Sequence, residues 1–105
     1  MHKLVFYVPE EYLELTKDAI FSVGAGQIGD YEQCCWQILG SGQFRPQQDS
    51  SPFVGEIGRL ETVDEYRVEL VCKDELVESA VQALLKAHPY EEPAYDVWRL
   101  ADINL

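Results

Sequence analysis

A chain of 105 residues, 47% hydrophobic and 26% charged, is one domain (residues 1–105) with a single core and no room for a second. Its 19 acidic against 8 basic residues leave a net charge of −11, which argues against nucleic acid and anionic membrane surfaces as partners. No apolar run approaches the ~20 residues of a bilayer span, and the apolar stretch before Pro9 is too short for a secretory leader, so the expected location is cytoplasmic.

The first element, Lys3 to Val8, is apolar without alternation, as in a strand buried on both faces. Pro9 opens a helix, with Glu10 and Glu11 favoured by its dipole. Tyr12, Thr16, Ala19, Ile20 and Val23 give that helix one inward face. Gly24 is its expected C-cap.

Residues 24–29 read GAGQIG, a literal GxGxxG. That motif cradles phosphates only when a strand precedes it and a helix follows. Here a helix precedes and a strand follows, so the segment reads as a turn.

Gln33 to Leu39 is the expected second strand. It carries Cys34 and Cys35, which point to opposite faces and cannot chelate together. With Cys72 they make an odd set without CxxC spacing, read as small apolar residues. A Gly/Ser/Gln/Pro-rich segment follows from Gly40 to Gly58, long enough to be functional or mobile.

Arg59 to Cys72 returns as a strand. Tyr66, Val68, Leu70 and Cys72 share one face, and Glu65, Arg67 and Glu69 the other. Glu56, Glu61, Glu65 and Glu69 read as the solvated side of an edge strand rather than as paired catalytic carboxylates. Asp74 is placed to cap a second helix, with Val77, Ala80, Val81, Leu84 and Leu85 as its buried stripe. Pro89 ends that helix by forcing His88 out of helical geometry. Ala94 to Leu100 is the last strand.

The order strand–helix–strand–strand–helix–strand implies an α+β fold of the ferredoxin-like type. It is a βαββαβ arrangement with a four-stranded antiparallel sheet and two helices on one face. The strands then carry apolar groups to the uncovered side as well. Phe6 or Tyr7, one of Trp36 and Leu39, and one of Val97 and Trp98 should lie there. Large bare apolar patches are rare on monomers, so the expected partner is another copy of the chain.

HPYEEPAYDVW, residues 88–98, concentrates polar chemistry at one helix-to-strand junction. His88, Tyr90, Glu91 and Glu92 are the candidate ligand-binding residues. An imidazole beside a carboxylate, His88 with Glu91, is also a candidate metal pair. No cofactor is assigned from the sequence, and a divalent metal ion is the one candidate. The competing reading is structural: HPY makes the turn, the ring nitrogens bond to the backbone, and the tyrosine packs on the sheet. No nucleophile elbow is present and no catalytic residue is assigned.

HPYEEPAYDVW, GAGQIGDYEQC, and the run GSGQFRP followed by GEIGRLETVDEYRVE resemble the insert domain of the Nif-three (YqfO-type) family, over about residues 3 to 100. The HPYE turn is also similar to that of CutA, a trimeric PII-like protein linked to divalent metal tolerance. The resemblance implies a CutA/PII-like fold and a homo-oligomer, with a trimer favoured over a dimer. In full-length family members this domain is inserted in a larger, metal-binding one associated with cyclohydrolase-type hydrolysis. This chain looks like the insert alone. The expected function is therefore a small oligomeric binding or regulatory module for a metal ion, small ligand or protein partner, not catalytic on its own. The rivals are a metal-dependent hydrolase and a structural docking subunit for a separate protein.

Overall fold

The computed structural model describes residues 1–103. Its elements are β1 (His2–Val8), α1 (Glu10–Ser22), β2 (Trp36–Phe44), β3 (Glu61–Cys72), α2 (Val77–Ala87) and β4 (Tyr95–Arg99). The strands form one antiparallel sheet in the order β2-β3-β1-β4, the expected ferredoxin-like arrangement.

Register decides what each face carries. Leu4 sits opposite Leu70 and Val97, and Phe6 opposite Val68. These side chains point to the helices and join Ile20, Leu13, Ala80 and Leu84 in the core. Phe6, Val8, Val68, Ile20 and Leu84 are 0% exposed, and each such side chain contributes about 1.5–3 kcal/mol by leaving water. On α1 the buried positions are Leu13, Thr16 and Ile20. Leu13 therefore takes the central place expected for Ala19, which is only half-buried.

The opposite face presents Val5, Tyr7, Trp36, Ile38 and Trp98, together with Glu65, Arg67 and Glu69. Of the expected alternatives, Tyr7, Trp36 and Trp98 lie here, while Phe6, Leu39 and Val97 point to the helix side. Trp36, Ile38 and Trp98 are exposed, whereas Val5 is fully buried between its neighbours. The face is mixed rather than uniformly apolar: Arg67 Nη2 donates to Glu69 Oε1 at 2.6 Å.

Several boundaries differ from expectation. β2 starts at Trp36 rather than Gln33, because Gln33 turns at φ 58 and the Cys34 N–H is drawn to the Gly26 carbonyl. It continues through Gly40 and Gly42 to Phe44, paired with β3, so the irregular segment is 45–60 rather than 40–58. Gly42 fits there because the Glu65 side chain lies across the space a Cβ would occupy. β3 is an inner strand, not an edge. Asp74 starts a 3-10 turn, Asp74–Leu76, with no side-chain cap. It instead accepts from His2 Nδ1 at 2.7 Å, because the antiparallel register brings the start of β1 beside the end of β3. Cys34 and Cys35 are only half-buried; Cys72 is buried, and all three are free thiols.

The GAGQIG turn is stitched to the sheet. Gly26, at φ +82, donates its N–H to the Val71 carbonyl and accepts from Cys34. A Cβ there would press on the Phe21 ring at 2.8 Å, so both geometry and space require glycine.

Candidate functional site

The helix layer stops short of half the sheet. In β3 only Val68, Leu70 and Cys72 are buried, all in its C-terminal half. The N-terminal half, Glu61–Arg67, continues with β2 beyond that layer. Segment 45–60 folds over this end. Its neck is closed by the Gly58 N–H donating to the Pro46 carbonyl at 2.7 Å, so it is a compact loop. Phe53 meets Tyr12 of α1 edge-on at 5.6 Å and Tyr90 at 6.3 Å. The Ser51 N–H donates to Glu91 Oε2 at 3.0 Å.

Between loop and sheet lies a cleft of about 590 Å³, within the range of small-molecule sites. Tyr7, Ile38, Phe44, Glu65 and Arg67 line its floor. Pro46, Pro52, Phe53 and Val54 line its roof, and Tyr90, Glu91 and Glu92 one wall.

Three of the four expected ligand residues therefore meet in this cleft, and His88 does not line it. His88 is 6% exposed and lies beneath the wall. Its backbone N–H still bonds Leu84 as the helix cap, and it turns to φ −69, ψ 137 as the following proline demands. The Tyr90 N–H donates to Nδ1 at 3.1 Å. Nδ1 is thus the acceptor, and Nε2–H donates to the Tyr7 carbonyl at 2.6 Å. Burial holds the imidazole below its ordinary pKa, partly offset by the Tyr7 bond and by Glu65. His88 clamps the Tyr90 turn to the end of β1.

The same arrangement bears on the metal pair His88 and Glu91. Both imidazole nitrogens are engaged by the backbone, and Glu91 is turned to Ser51. Liganding would cost His88 one of its backbone bonds. Among the described residues, no group of three or more His, Cys, Asp or Glu side chains could hold a metal ion.

Tyr90 is the centre of the site. Its ring neighbours His88, Phe44 and Phe53. Its hydroxyl oxygen is buried and has no hydrogen-bond partner. Burial pushes this phenol far above its ordinary range, and the nearby Glu65 carboxylate pushes it further. Glu65 lies close enough to act on the hydroxyl, so the two groups form one polar corner of the cleft. Glu65, Arg67, Tyr7, Phe44 and Phe53 were not among the expected site residues. The alternation of β3 places Glu65 and Arg67 on the open face; what it lacks is the loop that folds back over them.

No protein-family model matches the chain. A curated protein of Mycobacterium leprae, named GTP cyclohydrolase 1 type 2 homolog, is 46% identical over 100 residues, 95% of this chain. A solved Bacillus cereus protein related to NIF3 superposes with a TM-score of 0.83 at 38% identity, over 96% of this chain and 26% of that one. This chain is homologous to one segment of the NIF3-related proteins. It spans about a quarter, 26%, of the length of the M. leprae relative. CutA from Archaeoglobus fulgidus, described as a periplasmic divalent cation tolerance protein, matches with a TM-score of 0.70. It is 14% identical, over 99% of this chain and 88% of that one, and shows a shared fold alone. No helix among the described residues is long and apolar enough to cross a membrane.

Proposed function

We propose that this NIF3-type, CutA-like domain is a small-ligand binding module rather than a catalyst on its own. Tyr90, Glu91 and Glu92 contact the ligand, and His88 acts as the residue that positions them. The observation that carries this is the loop-roofed cleft, aromatic in much of its lining and holding a buried, unpartnered hydroxyl. Loop 45–60 is both roof and reporter, because it is tied to the wall through Ser51 and Glu91. Hydrogen exchange across residues 46–58 tests it during titration with a fragment library, nucleotides, Zn²⁺ and Cu²⁺. At least one of these slows exchange in the loop; unchanged exchange with all of them overturns the proposal.

A second observation supports self-association. Trp36 is 54% exposed and Trp98 42%, both on the sheet face that the helices leave bare and neither lining the cleft. We propose that copies of the chain cover this face, with three the expected number from the likeness to CutA. Native mass spectrometry at micromolar concentration checks it, and a purely monomeric spectrum contradicts it. The relatives' cyclohydrolase name concerns proteins about four times as long.

A further inference from the structure

The walls of the cleft narrow the chemistry of its occupant. Among its lining residues are three carboxylates, Glu65, Glu91 and Glu92, and one guanidinium, Arg67. Arg67 is paired with Glu69, its Nε and Nη2 both donating to Oε1, so its charge is offset although other N–H groups remain. The whole chain adds a net charge of −11 to the surrounding field. A phosphate or carboxylate entering here meets three carboxylates against one guanidinium that is already paired, so net repulsion opposes it.

The same cleft is aromatic. Tyr7, Phe44, Phe53 and Tyr90 line it, with Phe44 and Phe53 at 6.2 and 6.3 Å from the Tyr90 ring. Aromatic faces attract cations through the ring quadrupole, more strongly once water is excluded. Beside them the Tyr90 hydroxyl is buried without a partner, next to the Glu65 carboxylate. A hydroxyl oxygen and a carboxylate are both acceptors for an N–H donor. An inorganic ion would want several convergent oxygen or nitrogen ligands and gain nothing from the apolar walls.

We infer that the cleft takes a small organic cation, an amine or amidine on an apolar body, with its charged end at Glu65 and Tyr90. This rests on the cleft being the ligand site, as proposed above. The body packs against Ile38, Phe44 and Phe53, and the loop closes over it. Nucleotides, the anionic alternative, are rejected by the same charges.

Benzylamine, benzyl alcohol and phenylacetate share one ring and differ in charge. Their affinities are read by backbone amide NMR titration of the whole chain near neutral pH. Benzylammonium binds about tenfold more tightly than the alcohol, as one charge-assisted hydrogen bond provides, and phenylacetate binds most weakly. Glu65→Gln removes the tenfold preference for the amine over the alcohol. Tyr90→Phe lowers amine affinity while the protein melts no lower, since only an unpartnered hydroxyl is lost. If the alcohol or phenylacetate perturbs the cleft as strongly as the amine, the cation inference falls and the ligand site survives. The inference also falls if Glu65→Gln leaves the preference intact. If none of the three perturbs the cleft at millimolar concentration, both fall.

Discussion

The two faces of the sheet are built for different purposes. On the helix side, Phe6, Val68, Ile20 and Leu84 are completely buried and interlock between strands and helices. On the other side, Trp36, Ile38 and Trp98 stand exposed beside an Arg67–Glu69 pair, and at one end a loop roofs a cleft. Stability is concentrated in one layer, which frees the opposite layer for residues chosen by what they contact. His88 joins the two. It caps the helix that closes the core, and its ring holds the turn that carries Tyr90 into the cleft.

The sharpest way to separate the faces is to damage each. Phe6→Ala should cost about 3–5 kcal/mol, as cavities left by aromatic residues do, measured by urea unfolding. A loss below about 1 kcal/mol would show that the helix-side layer is not the source of stability. His88→Ala comes next, at about 2–4 kcal/mol, because the Tyr7 carbonyl and the Tyr90 N–H both lose a partner in a buried place.

The pH dependence of His88 has a definite sign. Its folded pKa lies below the ordinary 6.5, chiefly through burial. The unfolded chain therefore binds the proton more readily. The His88 contribution is complete above 6.5 and is lost as pH falls through the lower folded value. The stability difference between wild type and His88→Gln should shrink across that window; a difference that grows on acidification contradicts the assigned tautomer and burial.

Smaller effects are expected on the open face. Trp36→Ser with Trp98→Ser should shift native mass spectra toward monomer while changing the unfolding free energy of the isolated subunit by only about 0.5 kcal/mol. Gly42→Ala is the mildest. The atoms it meets are the far end of the flexible Glu65 side chain, which can swing aside. Stability should fall by less than about 0.5 kcal/mol, while amine binding weakens because Glu65 has been moved.

The fold was legible because strand and helix periods separate cleanly in this chain. Val68 and Leu70 announce the core face of β3 and Pro89 the end of α2, whereas β1, apolar without alternation, left open whether Phe6 or Tyr7 faces the helices. The second strand was less legible. Gly40 and Gly42 look like loop residues, yet they extend β2 because the partner strand's Glu65 fills the space over Gly42. Asp74 looked like a helix cap, but the long-range register of β1 offered it His2 instead. At the site, the 88–92 segment carried two readings, a ligand-binding set and a structural turn whose histidine bonds to the backbone, and the backbone bonds of the second are present. Local sequence shows that a histidine precedes a proline; it does not show that Tyr7, 81 positions away, will take its Nε2–H. Glu65 and Arg67 were missed for a similar reason. They are ordinary solvent-facing strand residues until residues 45–60 fold over them.

Amide chemical-shift mapping during a benzylamine titration tests the central claim most directly. Perturbations should cluster at residues 38–54, 65–67 and 90–94, with the helices silent. Shifts centred on α1 and α2, or a flat response along the whole chain, would contradict a ligand site on the bare face of this sheet.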